Sequence, residues 1–273
     1  MGLSHRHAVL PALFAASLLA GTLAANAAAG DDEATRASRW KEIRETIFGD
    51  RAIERTESVV KIDAPQRAED ASLVPITLTM PDKDAIKGVS FIIDDNPTPY
   101  AAHFVFGPAA DPSSVKLRVR VNNYSDVHAV AETKDGRLYE ATQYLKASGG
   151  CSAPMGMSDE EAMQGMGDMR VKFGEQAPGK PVQATLMIRH PNFSGMQMNQ
   201  VTRDYTPARF IQTIAVSYGD RSVFTMDGDI SIASNPVINF AYIPEGKGPI
   251  KVVASDNQGG RWEHSFPAPA PSN

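Results

Sequence analysis

Apolar residues follow a helical spacing near the N-terminus and an alternating spacing through most of the remaining chain. The helical pattern spans Glu33 to Phe48, and Gly49 stands where a helix is expected to stop. The apolar residues near one face of this segment are Trp40, Ile43, Ile47 and Phe48. From Leu73 onward, alternate residues are apolar, which is typical of strands with one buried and one solvent-facing side. The pattern predicts one helix followed by a β-rich protein.

The first strand-rich stretch ends at a Gly-Gly-Cys segment. Its clearest strand covers 115–121, where valine and leucine alternate with Lys116, Arg118 and Arg120 on the predicted wet face. The turn at 134–136, Lys-Asp-Gly, predicts a hairpin between the two strands that flank it. These signals indicate one antiparallel β unit.

The second strand-rich stretch begins at Val182 and continues to Phe266. Gly219 and Asp220 lie between two apolar runs and predict a second hairpin. Several short strands with turn signals at regular spacing are typical of a β-sandwich.

Residues 1–27 have the three parts of a secretory signal. A basic start is followed by an apolar run over 8–23 and then by the cleavage motif Ala25-Asn26-Ala27. The run is interrupted by a proline and a glycine and is shorter than the roughly 20 residues that a membrane-spanning helix needs. We therefore expect the mature chain to begin near Ala28 and to be periplasmic.

Charge and composition narrow the possible partners. The chain has 27 basic and 32 acidic residues, 42% hydrophobic residues and a net charge of −5. This composition is that of a globular protein. The chain lacks the excess of basic residues that is typical of a nucleic-acid-binding protein, and no Lys/Arg run indicates a membrane-surface role.

The chain contains one cysteine, Cys151. A single cysteine in an exported protein indicates a reactive thiol or an intermolecular partner, whereas a buried filler residue is the alternative. Its neighbours over 148–154 are small and aperiodic, with Gly149 and Gly150 directly before it. We expect a solvent-exposed thiol on a flexible arm.

Methionines are concentrated in the segment that follows the cysteine, within 152–179. They are Met155, Met157, Met163, Met166 and Met169. Thioethers are soft ligands that suit Cu(I), but methionine is also an adaptable packing residue. Because no histidine or further cysteine lies among them, we favour a flexible or interface-packing linker and expect neither a metal nor a cofactor.

Candidate catalytic residues are scattered. The histidines of the mature chain, His103, His128, His190 and His264, show no metal-ligand spacing, and Asp94-Asp95 lies in a predicted turn. A catalytic pair of Cys151 and His190 is compatible with the sequence. A glycine-rich linker is a poor place to hold a nucleophile beside its base, so we do not expect an enzyme.

Several motifs resemble a known family pair. The unit that ends in Gly149-Gly150-Cys151 resembles SoxY, the thiol carrier of bacterial sulfur oxidation, and 184–266 is similar to its partner SoxZ. The SoxZ-like motifs are Arg189-His190-Pro191, Pro207-Ala208-Arg209-Phe210-Ile211, Val223-Phe224-Thr225 and Ser234-Asn235-Pro236. Together they resemble fused SoxYZ-like carriers of the type associated with quinoprotein dehydrogenases.

The resemblance implies an all-β fold of two immunoglobulin-like β-sandwiches in tandem, preceded by a short N-terminal helix. The expected domains are a SoxY-like domain (28–148), an arm and Met-rich linker (149–179), a SoxZ-like sandwich (180–267) and a disordered tail (268–273). It also implies that a sulfur-containing intermediate is held covalently on Cys151 and offered to periplasmic redox or sulfur-metabolising enzymes.

Two other functions compete with covalent carriage. One is an immunoglobulin-like binding or assembly module for a periplasmic quinoprotein dehydrogenase, in which Cys151 is incidental. The other is a copper chaperone that uses the Met-rich linker. In each case we expect the two sandwiches to pack through apolar faces that include Phe210, Ile211 and the linker methionines.

Overall fold

The computed structural model describes residues 1–2, 31–199 and 202–269. The predicted signal peptide therefore lies outside the described residues except for Met1 and Gly2, and the predicted tail does so except for 268–269. Within the described part, the helices are α1 (Glu33–Phe48) and α2 (Asp159–Met163), with a short 3₁₀ turn at Lys83–Ala85. No helix in this part is long and apolar enough to cross a membrane.

The described chain has fifteen strands. In order they are β1 (Ile53–Arg55), β2 (Lys61–Asp63), β3 (Val74–Thr79), β4 (Ile86–Ile93), β5 (Tyr100–Phe106), β6 (Ala110–Val119), β7 (Ser125–Thr133), β8 (Leu138–Leu145), β9 (Met169–Phe173), β10 (Val182–Ile188), β11 (Ile211–Tyr218), β12 (Arg221–Gly228), β13 (Val237–Tyr242), β14 (Ile250–Asp256) and β15 (Arg261–Phe266). The predicted hairpins are confirmed as β7–β8 and β11–β12.

Helix α1 has the bounds that the apolar spacing predicts. Asp32 caps its start by accepting a hydrogen bond from the backbone N–H of Thr35 at 2.8 Å, and Gly49 ends it with φ of 63°. Its apolar face packs on a small cluster formed by Ile92, Val130 and Leu138 on the outer side of the first sheet. The helix thus covers one sheet face of the N-terminal half.

The strands form two sheets that both run through the two halves of the chain. The nine-stranded sheet has the order β1-β8-β7-β4-β5-β12-β11-β14-β15, and the six-stranded sheet has the order β2-β3-β6-β13-β10-β9. The halves meet where β5 pairs with β12 and β6 pairs with β13, both antiparallel. The two predicted sandwiches are present, and they are joined edge to edge by backbone hydrogen bonds.

One apolar core lies between the two sheets and continues across this junction. Phe104 of the first half lies 5.6 Å from Phe224 of the second, and Phe224 lies 5.2 Å from Phe240, centroid to centroid. Aromatic pairs of this kind contribute about 0.5–1.5 kcal/mol each beyond their buried area. Of the residues expected at this contact, Ile211 and the linker methionine Met169 belong to the shared core, whereas Phe210 does not, and paired strand edges join the two halves.

Two local features differ from the sequence-based expectations. The segment expected to be a linker contains α2 and β9, and β9 pairs with β10 as an edge strand of the six-stranded sheet. Arg120, expected on a wet face, is only 1% exposed. It directly follows β6, where segments of the second half cover the strand end.

Candidate functional site

Cys151 is buried, with 0% of its surface exposed. The expectation of a solvent-exposed thiol is therefore wrong for this conformation. The segment before it is tied to the first half by backbone hydrogen bonds from Gly149 N to Asn122 O (2.7 Å) and from Gly150 N to Val121 O (3.0 Å). A turn bond from Ser152 N to Gly149 O (3.2 Å) then reverses the chain.

The two glycines have different structural roles in this closed arrangement. A Cβ on Gly150 would lie 2.0 Å from the carbonyl oxygen of Ala71 and 2.7 Å from that of Val121, so only glycine lets the backbones approach this closely. Gly149 has φ of +79°, which suits glycine, and open space where a Cβ would stand. Small residues that predicted an exposed arm instead permit close packing.

The second half covers the other side of the cysteine. The hydroxyl of Ser194 donates a hydrogen bond to the carbonyl oxygen of Cys151. Ser194 is itself fixed by Gln197, whose Oε1 accepts from the Ser194 backbone N–H at 2.8 Å and whose Nε2 lies 3.9 Å from the sulfur of Met155. Cys151 is therefore enclosed between residues of both halves.

Arg120 lies at the same junction and was missed as a site residue by sequence reasoning. Its Nη1 donates to the carbonyl oxygens of Asn192 and Ile232, each at 2.7 Å, and its Nη2 donates to that of Pro191 at 3.4 Å. Its Nε is buried and has no hydrogen-bond partner. A residue of the first half thus binds the backbone of the second through its guanidinium.

Arg120 has no carboxylate partner, because no Asp or Glu of the described chain forms a salt bridge with it. Burial lowers the pKa of Arg120 to about 10, and the electrostatic interaction with Cys151 opposes this. Burial raises the pKa of Cys151 to about 11, partly offset by the charge of Arg120. About one thiol in 10,000 is then ionised at pH 7, so Cys151 is a poor nucleophile in the closed site.

His190 does not pair with Cys151. Its Nδ1 accepts a hydrogen bond from the backbone N–H of Asn192 at 3.0 Å, which places the ring proton on Nε2. Nε2 faces Asp256 Oδ2 at 3.6 Å, too long for a hydrogen bond, and Asp256 also accepts from Arg209 at 2.7 Å. Burial lowers the pKa of His190, so the imidazole is neutral.

The remaining candidates have structural surroundings. His103 bonds to Ser90 at 3.0 Å, while His128 lies between two carboxylates, Asp94 and Glu140. Asp95 forms a salt bridge with Arg39 at 2.8 Å. In the part of the chain that the structure describes, no three His, Cys, Asp or Glu side chains are grouped to hold a metal ion.

Two different family models match the two halves of the chain. The family model described as sulfur oxidation protein SoxY matches residues 44–151, and that described as sulphur oxidation protein SoxZ matches residues 169–267. This chain is a fusion of a SoxY domain and a SoxZ domain. The SoxY match ends at Cys151 itself, and the SoxZ match begins at Met169, the first residue of β9.

Similar solved structures include the sulfur carrier protein SoxY from Chlorobium limicola f thiosulfatophilum, at 27% identity and a TM-score of 0.36, covering 42% of this chain and 96% of that one. A β-glycosidase from Bacteroides vulgatus has 9% identity and a TM-score of 0.22, covering 78% of this chain and 25% of that one. No curated protein sequence matches the chain.

The junction between the two halves is the interface between the SoxY and SoxZ domains. Arg120 belongs to the SoxY domain and the carbonyl groups that it binds belong to the SoxZ domain, so the site around Cys151 is built by both. SoxY and SoxZ proteins are not catalysts. Their pairing in one chain agrees with a site that holds a thiol without a base beside it.

Proposed function

We propose that this protein is a periplasmic thiol carrier that binds a sulfur-containing intermediate covalently on Cys151 and presents it to partner enzymes of sulfur metabolism. The observation that carries the proposal is the position of Cys151. It is the last residue of the SoxY match, follows two glycines and lies at the boundary with the SoxZ domain.

Carriage requires the closed site to open. The contacts that hold the segment are three backbone hydrogen bonds and the bond from Ser194. At about 1 kcal/mol net for each bond, opening costs about 4 kcal/mol, which corresponds to roughly one open molecule in a thousand. The two glycines give the segment the backbone freedom that such a movement needs.

In the open form the thiol regains an ordinary pKa near 8.5 and becomes a competent nucleophile. A partner that binds the open form shifts the equilibrium by its preference for that form. Loading and unloading are therefore confined to encounters with a partner, while the closed form protects the thiol between them.

The decisive experiment compares wild type with Cys151→Ser in the host. Protein taken from the periplasmic fraction should carry a discrete adduct, such as a persulfide or thiosulfonate, that a reductant removes by thiol exchange. Cys151→Ser should fold, carry no adduct and fail to support sulfur oxidation. A variant that supports the pathway fully would end the carrier proposal.

Burial of the thiol favours one competing function, because a buried cysteine with a raised pKa is also what a structural cysteine looks like. In that case the protein is a non-catalytic assembly module, for example for a quinoprotein dehydrogenase. Cys151→Ala then preserves function. The same complementation assay separates the two functions.

A further inference from the structure

A buried guanidinium needs an anionic partner. Removing a charged group from water costs several kcal/mol unless an opposite charge and hydrogen bonds compensate for it. Four carbonyl oxygens, those of Pro191, Asn192, Ile230 and Ile232, accept hydrogen bonds from Arg120, but none supplies a negative charge. At this junction the described side chains leave one positive charge unmatched.

The donors of Arg120 are also not all used. A guanidinium has five N–H donors in a fixed fork. The two Nη atoms donate to the backbone carbonyls of 191–192, Ile230 and Ile232, whereas the buried Nε has no partner. The missing partner is therefore an acceptor as well as an anion.

Cys151 is placed to carry that partner. Val121, the residue after Arg120, accepts the backbone hydrogen bond from Gly150, the residue before Cys151, at 3.0 Å. On the opposite side, Arg120 binds Asn192 O and the carbonyl of Cys151 is bound by Ser194, two residues further along the same segment. The thiol and the guanidinium also influence each other electrostatically.

We propose that Arg120 is the anion-binding residue of the carrier site and that it holds a negatively charged sulfur group borne by Cys151 in the closed conformation. This inference rests on the proposed carrier function. It adds a charge requirement: a thiosulfonate or an ionised persulfide satisfies Arg120, whereas the neutral thiol does not. Loaded protein is then stabilised in the closed form, in which the cargo is shielded from stray thiols.

The test attaches two groups of equal size and different charge. Cys151 is alkylated with iodoacetate, which leaves a carboxylate, or with iodoacetamide, which leaves a neutral amide, until intact mass shows complete reaction. In wild type we expect the carboxymethyl protein to melt about 2–4 °C above the carbamidomethyl protein, the shift that one favourable charge pair gives in a chain of this size. Equal melting temperatures in wild type would overturn the proposal.

Two variants assign the effect to Arg120. In Arg120→Gln the difference between the two adducts should disappear, even if both proteins melt lower because carbonyl contacts are lost. Arg118→Gln, two residues earlier on the exposed side of β6, is the matched control and should keep the difference. A difference that persists unchanged in Arg120→Gln contradicts the role of this residue.

A second readout on wild type avoids variants that fail to fold. With ¹³C-labelled iodoacetate, the carboxylate can be titrated by NMR. Beside Arg120 its pKa should fall below the value in the unfolded protein, whereas a raised pKa in the native protein would overturn the inference. Because the groups are attached chemically, these results do not depend on carriage in the host, which the Cys151→Ser comparison tests separately.

Discussion

The protein buries two polar clusters that differ in how their charges are matched. Under helix α1, His128 binds Glu140 at 3.0 Å through Nδ1 and Asp94 at 3.1 Å through Nε2, with Trp40 stacked on the ring at 3.7 Å. At the domain junction, Arg120 has only carbonyl partners and the neutral thiol of Cys151. The first cluster contains carboxylates that face its imidazole and lies under a helix, whereas the second has no carboxylate among the described residues and lies beside Cys151.

Replacing His128 should give the largest loss of stability. His128→Ala leaves Asp94 and Glu140 buried without their cation, and breaking a buried pair in this way costs about 3–5 kcal/mol. Chemical denaturation measures the change. His264→Ala on β15 is the control and should cost less than about 1 kcal/mol, because that ring is partly exposed and stacks on Phe266. Similar losses in both variants would remove the distinction between the clusters.

The thiol at the junction should be protected but not inert. If four hydrogen bonds hold the segment, native Cys151 should react with a disulfide reagent about 1,000-fold more slowly than in denatured protein. The measurement is the absorbance change on thiol labelling in native buffer and in denaturant. A native rate within a few-fold of the denatured rate contradicts a closed site.

Adding a methyl group at Gly150 should open the junction while leaving the cluster under α1 intact. The new Cβ would overlap the carbonyl oxygens of Ala71 and Val121, and such overpacking costs about 1–3 kcal/mol. Thiol labelling should then accelerate by about 5–150-fold. Gly149→Ala is the matched control, since its Cβ meets nothing and only its φ of +79° is unfavourable, at about 1 kcal/mol. Equal labelling rates in the two variants would argue against close packing at Gly150.

The clusters should also respond differently to pH. Burial alone would lower the pKa of His128, but hydrogen bonds to Asp94 and Glu140 outweigh it and raise the pKa. A raised pKa stabilises the fold below the unfolded value of about 6.5, and this stability is lost as pH rises through the folded pKa. Each tenfold gain in proton affinity on folding contributes about 1.4 kcal/mol. Denaturation of wild type and His128→Gln at pH 6 and pH 9 measures it: the wild-type advantage should shrink at pH 9.

Local patterns predicted much of the fold and little of the site. Helix α1 and the alternating burial of β6 follow from residue spacing within one element, and both are observed. Burial of Arg120 and Cys151 depends on residues of the SoxZ domain that contact them from 43 to 112 positions further along the chain. The small residues around Cys151 fit an exposed loop and a close-packed turn equally well, so their composition cannot distinguish the two.

The smallest effect should come from the side-chain hydrogen bond that Ser194 of the SoxZ domain makes to the backbone of Cys151. Ser194→Ala removes the donor to the carbonyl oxygen of Cys151, at a cost of about 1 kcal/mol, and should raise the thiol labelling rate about five-fold. Ser152→Ala is the control: its hydroxyl is exposed and bonds Gly149 O at 3.3 Å, so labelling should change less than about two-fold. Among the described residues, no hydrogen bond joins either serine to the cluster under α1, so the pH dependence of stability should be the same in both variants. An unchanged labelling rate in Ser194→Ala would mean that the hydrogen bonds within the SoxY domain hold the segment closed. The SoxZ domain would then bury the segment without stabilising its closed position.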